Sequence, residues 1–173
     1  MRTSLRTLVA GAALLVAATF TAPTANAQIG FVVQGSYALD VKAIGVGAGL
    51  SFGLGSITEN SGVSAEATFD YFFPGDQDIF GTGYSYKYWE INGNALYDIK
   101  SVNGLYVGAG VNYANSDYGY DGDFGDLDFS GGSSVGLNVL SGYKFGGGKG
   151  PFVQARFSLG GGEQLVLTGG FRF

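Results

Sequence analysis

Between residues 115 and 132 the chain reads NSDYGYDGDFGDLDFSGG, with aspartates at 117, 121, 123, 126 and 128. Carboxylate oxygens crowded in this way suit a hard cation such as calcium. The spacing departs from D-x-[DN]-x-[DN]-G-x5-E and no Glu closes it, so the pattern favours a solvated acidic loop, and no metal site is assigned. Tyr118, Tyr120, Phe124 and Phe129 interleave with the acids, and aromatic side chains anchor interfaces. Asp117, Tyr118, Tyr120, Asp121, Asp123, Phe124, Asp126 and Asp128 therefore form a candidate interaction loop.

Other chemistry is closed off by what the chain lacks. It contains no cysteine and no histidine. Without cysteine there is no disulfide framework and no thiolate zinc site. Without histidine the usual general base and the commonest transition-metal ligand are missing, and a serine nucleophile has no imidazole to activate it. The glycine runs GGGKG and GVGAGLSFG match neither G-x-x-x-x-G-K-[ST] nor G-x-G-x-x-G followed by a helix, and read as turn and strand glycine. The expectation is a non-enzymatic protein without a cofactor.

Composition points to an unusual solvent. Of 173 residues, 46% are hydrophobic and 13% charged, with 32 Gly, 14 Phe and 11 Tyr. Glycine without a G-X-Y period excludes collagen, and the aromatics argue against disorder. Residues 1–27 read as a cleaved signal peptide. Arg2 and Arg6 form a basic start, Leu8 to Phe20 an apolar core, and Ala25-Asn26-Ala27 a small-x-small cleavage site before Gln28. The apolar core falls short of the roughly 20 residues a spanning helix needs. Removing the two arginines leaves seven Lys and Arg against fourteen Asp and Glu, a poor match to nucleic acid, which calls for a basic face.

From Gln28 onwards the recurring signal is alternation of period two, with no sustained helical period. In the last segment Leu165, Leu167, Gly169, Phe171 and Phe173 fall on one face, and Gln164, Val166, Thr168, Gly170 and Arg172 on the other. Seven earlier segments behave alike, around residues 31–39, 44–52, 63–73, 88–99, 105–113, 134–144 and 153–159. Eight strands of about ten residues suit a tilted membrane crossing. On the greasy face, aromatics gather near strand ends. Phe31, Phe52, Tyr97, Tyr143, Phe171 and Phe173 mark one level, and Tyr37, Phe73, Trp89, Tyr113 and Phe157 the other. Two girdles around an aliphatic band are what a bilayer selects. Connections near 53–62, 100–104 and 146–150 then lie at one end, and loops near Asp40, 74–83, 115–132 and 160–163 at the other. This predicts an all-β, eight-stranded antiparallel up-and-down transmembrane β-barrel over residues 28–173. A soluble secreted barrel would instead turn its greasy face inward and need no girdles.

Eight strands enclose a lumen narrow enough for side chains to fill. The alternation places Glu66, Asp70 and Glu90 inside together with Lys144, Arg156 and Arg172. Three charges of each sign are expected to pair, since an unpaired charge in a closed lumen is costly. Inward glycines at 45, 47, 49, 108, 110, 136, 142 and 170 leave space for Phe72, Tyr88, Tyr106, Leu140 and Phe152.

The leader, the eight alternating segments, the girdles and the terminal GGFRF together resemble the small outer-membrane β-barrels of the OmpA, OmpX and opacity-protein type. The resemblance spans residues 28–173. It implies insertion into the outer-membrane lipid bilayer of a Gram-negative-type bacterium, a structural role in the cell envelope, and surface loops used for adhesion or interaction. The alternative it leaves open is a narrow porin-like channel or small-ligand carrier using the lumen. It also implies that Leu165, Leu167, Phe171 and Phe173 form the signal read by the barrel assembly machinery, with Gly169 departing from the usual large hydrophobe. Enzymatic small barrels of similar pattern rely on a catalytic histidine, which this chain lacks. No peptidoglycan-binding domain is expected after the barrel.

Overall fold

The alternating segments close on themselves. In the computed structural model, which describes residues 29–54, 62–74, 83–121, 127–129, 131–146, 149–162 and 164–173, the strands are β1 Ile29–Ala38, β2 Ala43–Gly53, β3 Val63–Phe73, β4 Gly83–Asp98, β5 Leu105–Asp121, β6 Leu127–Phe129, β7 Ser133–Lys144, β8 Gly150–Leu159 and β9 Leu165–Arg172. Each barrel strand pairs antiparallel with the next, β5 with β7, and β9 returns to β1 with Val33 opposite Phe171 and Tyr37 opposite Leu167. The result is an eight-stranded antiparallel up-and-down barrel with no free sheet edge in its wall, which satisfies every wall strand on both sides. Phe173 lies just past β9, where its N–H donates to the carbonyl of Phe31 at 2.9 Å and completes the seam.

The connections after β2, β4 and β7 lie at the end that carries Ile29 and Phe173, here the turn end; those after β1, β3, β5 and β8 lie at the other, here the loop end. Gly104, in the turn between β4 and β5, has φ +87°, and a Cβ there would meet the carbonyl oxygen of Lys144 at 2.5 Å. Both its conformation and its tight contact call for glycine.

Burial is inverted relative to a soluble domain. Leu137, Val139, Val111, Val46 and Phe69 stand exposed on the outside, whereas Glu66, Asp70, Glu90, Asn92, Asn138 and Arg156 are buried inside. The aromatics pack along the outer surface near strand ends. Phe171 and Phe173 lie 4.8 Å apart and Tyr143 and Phe145 5.0 Å apart at the turn end, with Trp89 and Tyr113 5.6 Å apart towards the loop end.

Two departures from expectation concern length. β4 has 16 residues and β5 has 17, not about ten. The segment expected as one loop from 115 to 132 instead continues β5 to Asp121 and returns as β6. Pairing of β5 with β7 stops at Asn115 opposite Ser133, but β4 and β5 stay paired up to Gly83 opposite Asp121, and β6 joins β5 through Tyr118–Phe129 and Tyr120–Leu127. A three-stranded ribbon therefore rises past the wall. The composition read as loop because acids and glycines are poor strand formers, and cross-strand pairing overrode that preference.

Candidate functional site

The lumen is where the charged side chains meet, and strand alternation puts them there. Even-numbered positions of β3, β4, β5, β7, β8 and β9 point inward, so Glu66, Asp70, Glu90, Arg156 and Arg172 converge from four strands. Arg156 Nη2 donates to Glu90 Oε2, and the hydroxyl of Tyr88 donates to Glu90 Oε1. Nearer the turn end, Arg172 Nε donates to Glu66 Oε2 at 2.8 Å and Nη2 donates to the Tyr106 hydroxyl at 3.3 Å. The guanidinium also lies 3.9 Å from the Phe152 ring centroid and 5.0 Å from that of Tyr106. Stacking of this kind adds attraction to a cation held away from water.

The pairing differs in two places from three acids matched with three cations. Asp70 forms no ion pair among the described residues. Its carboxylate accepts from Gln34 Nε2 at 2.7 Å, Thr68 Oγ1 at 3.2 Å and Asn92 Nδ2 at 3.3 Å, so neutral donors satisfy it. Lys144 reaches instead to Asp98 Oδ1 at 2.5 Å, at the turn-end mouth, where Asp98 is about half exposed. The physical reason is depth: Lys144 ends β7 beside the mouth, while Asp70 sits mid-barrel, where Glu90 already engages Arg156. Sequence reasoning missed Asp98, although the alternation of the 88–99 segment places it on the inward face with Glu90, Asn92 and Asn94.

Neutral side chains knit the middle together. Asn138 Nδ2 donates to Asn92 Oδ1 at 3.0 Å and to Asn94 Oδ1 at 3.1 Å, and Ser158 Oγ donates to Asn138 Oδ1 at 3.0 Å. Apolar collars flank this polar layer. Phe72, Tyr88, Ala114 and Val166 cluster with Ala38 and Ala43 towards the loop end, and Leu96, Tyr106 and Leu140 towards the turn end. A mid-lumen cavity bounded by Asp70, Asn94, Gln154 and Arg156 has a volume of about 10 Å³, about enough for one water. The lumen is a packed core with its polar side chains in the centre.

The residues of the C-terminal segment lie on the outer surface. Leu167, Phe171 and Phe173 are exposed, Leu165 is half-buried at the start of β9, and Arg172 between the two phenylalanines is buried. In the candidate interaction loop, Asp117 is exposed. In the ribbon the backbone pairs Tyr118 with Phe129, Gly119 with Asp128 and Tyr120 with Leu127. Asp123, Phe124 and Asp126 lie outside the described residues. Among the described residues, no group of three or more carboxylates is arranged to hold a metal ion.

No protein-family model matches the chain, and no curated protein matches it closely enough to count. Solved structures do. The crystal structure of Ail, the attachment invasion locus protein of Yersinia pestis, superposes with a TM-score of 0.51 at 13% identity, covering 84% of this chain and 95% of that one. The N-terminal β-barrel domain of Pseudomonas aeruginosa OprF gives a TM-score of 0.51 at 15% identity, covering 86% of this chain and all of that one. The fold is that of the small eight-stranded outer-membrane barrels.

Proposed function

We propose that this chain is a non-enzymatic barrel of the bacterial outer membrane, whose body supports the envelope and whose loop end presents a surface for adhesion or interaction. The observation that carries the reading is the inversion of burial, with an aliphatic belt outside and ion pairs inside. Such an exterior is soluble only in lipid, because contiguous apolar surface of that extent is not left in water. On this reading residues 1–27 are a leader removed during export, and the turn end faces the periplasm. Leu165, Leu167, Phe171 and Phe173 present the assembly signal to the barrel assembly machinery.

The ribbon of β4, β5 and β6 supports the display role, since it lifts Asp117 and its neighbours beyond the barrel wall. Ail, by its name, serves attachment and invasion in Yersinia pestis; an interaction role at the loop end here is of the same broad kind. The packed lumen favours a scaffold over a channel or ligand carrier. Planar-bilayer recording tests this: the scaffold reading expects no steady unitary steps, and reproducible conductance steps would overturn it.

A further inference from the structure

The cations of this acidic chain are unevenly placed. Residues 28–173 hold seven Lys and Arg, and three of them, Lys144, Lys149 and Arg172, line one cavity of about 250 Å³ at the turn-end mouth. Among the described residues, Asp98 is the one side-chain carboxylate that joins them on its wall. Among the described residues the loop end is the reverse, its strands and turns carrying Asp40, Asp117, Asp121 and Asp128 along with Lys42 and Lys87. Opposite charge at the two ends of one barrel gives the turn-end mouth a field that draws anions.

The donors there are built in and partly unused. Arg172 is 5% exposed; its Nε and Nη2 are engaged by Glu66 and Tyr106, but its buried Nη1 has no partner among the described residues. Lys144 is held between the Asp98 carboxylate and the Tyr106 ring, 5.2 Å from its centroid, with further N–H bonds to give. Lys149 is exposed, and the hydroxyl-bearing residues Ser51 and Ser64 complete the polar wall. Among the described residues, the carboxylates facing these donors are Asp98 on the wall and Glu66 behind it, the one paired with Lys144 and the other with Arg172. Phe52 and Phe173 form the apolar side.

We propose that the turn-end mouth binds a phosphate group, with Lys144 and Lys149 as direct ligands and Arg172 supplying positive potential behind them. Two lysines and two hydroxyls offer the several donors that a tetrahedral oxyanion accepts, and lysine serves phosphate as a point charge. The phosphate can belong to the free anion or to a phospholipid headgroup, for which the flanking phenylalanines would hold the glycerol end. The inference concerns the mouth alone and does not depend on the adhesion role.

The test is amide NMR on the expressed protein in maltoside micelles, titrated with inorganic phosphate at constant ionic strength. Saturable shifts centred on Ser51, Ser64, Asp98, Lys144 and Lys149 are expected. The exposed-site variant Lys149→Gln should bind roughly tenfold more weakly, the effect of one charge-assisted hydrogen bond, with its spectrum otherwise unchanged. In a second arm, dihexanoyl phosphatidylglycerol binding more tightly than phosphate identifies the headgroup as the source, and weaker binding identifies the free anion. Shifts that chloride reproduces, or that Lys149→Gln and the Lys144→Gln/Lys149→Gln double variant leave unaltered, would overturn the proposal.

Discussion

Gly47 stands directly opposite Asp70 in the ladder between β2 and β3, so close that a Cβ on Gly47 would lie 2.2 Å from Asp70 Oδ1. The same relationship recurs at Gly45 with Phe72, Gly142 with Tyr106 and Gly170 with Phe152. In each pair a large inward side chain lies over a glycine, which is how eight strands enclose so many bulky groups. Gly47→Val should therefore destabilise the barrel by about 1–3 kcal/mol or more, the range for overpacking a filled core. The control is Gly93→Ala, where the nearest atom, Val111 Cγ2, is 4.0 Å away. Urea unfolding in micelles should separate the two, and equal midpoints would contradict the packing.

The ion pair of Arg156 with Glu90 gives a second prediction. Both side chains are almost wholly buried, so Glu90→Leu strands a guanidinium in the lumen and should cost about 3–5 kcal/mol. The double variant Glu90→Leu/Arg156→Leu removes both charges and should recover most of that loss. Unfolding free energies of the two variants check this, and a double variant no more stable than the single one would show that the pair is not the main term.

The outer belt predicts an asymmetry with depth. Val139 lies mid-strand in β7, outward and 54% exposed, opposite Ala109 and Phe157. Val139→Arg should destabilise the lipid-embedded barrel by about 2–4 kcal/mol, as arginine does at the bilayer midplane. Lys87→Arg, on the rising part of β4, should be neutral. Folding titrations in phospholipid vesicles measure both, and a neutral Val139→Arg would place that face in water.

Phe173 separates assembly from stability. Its N–H closes the seam with Phe31 through the main chain, a bond that Phe173→Ala retains. Refolding into micelles should therefore be little changed, while the level of folded barrel in the cell envelope falls several-fold if this residue carries the assembly signal. Equal envelope levels for wild type and Phe173→Ala would remove Phe173 from that role.

How much of this was legible in the sequence follows from range. The strands were readable because inward and outward residues alternate with period two, and closure followed from their even number and from the outward Leu167, Phe171 and Phe173. The facing of Glu66, Glu90, Arg156 and Arg172 into the lumen was equally local. The partners were not. Gln34 reaches Asp70 across 36 residues and Arg172 reaches Glu66 across 106, distances that depend on register and strand tilt, which no single segment encodes. The extension of β5 through Asp117–Asp121 was hidden for another reason: its strand character comes from pairing with β4 and β6, against the preferences of its own residues.

The central claim, a barrel turned inside out for lipid, is tested most directly by membrane fractionation read out by heat-dependent gel mobility. The expected result is a protein confined to the outer-membrane fraction whose unboiled band migrates apart from the boiled one, because an intact barrel resists detergent unfolding. Recovery in the soluble periplasmic fraction, with one band before and after boiling, would contradict it.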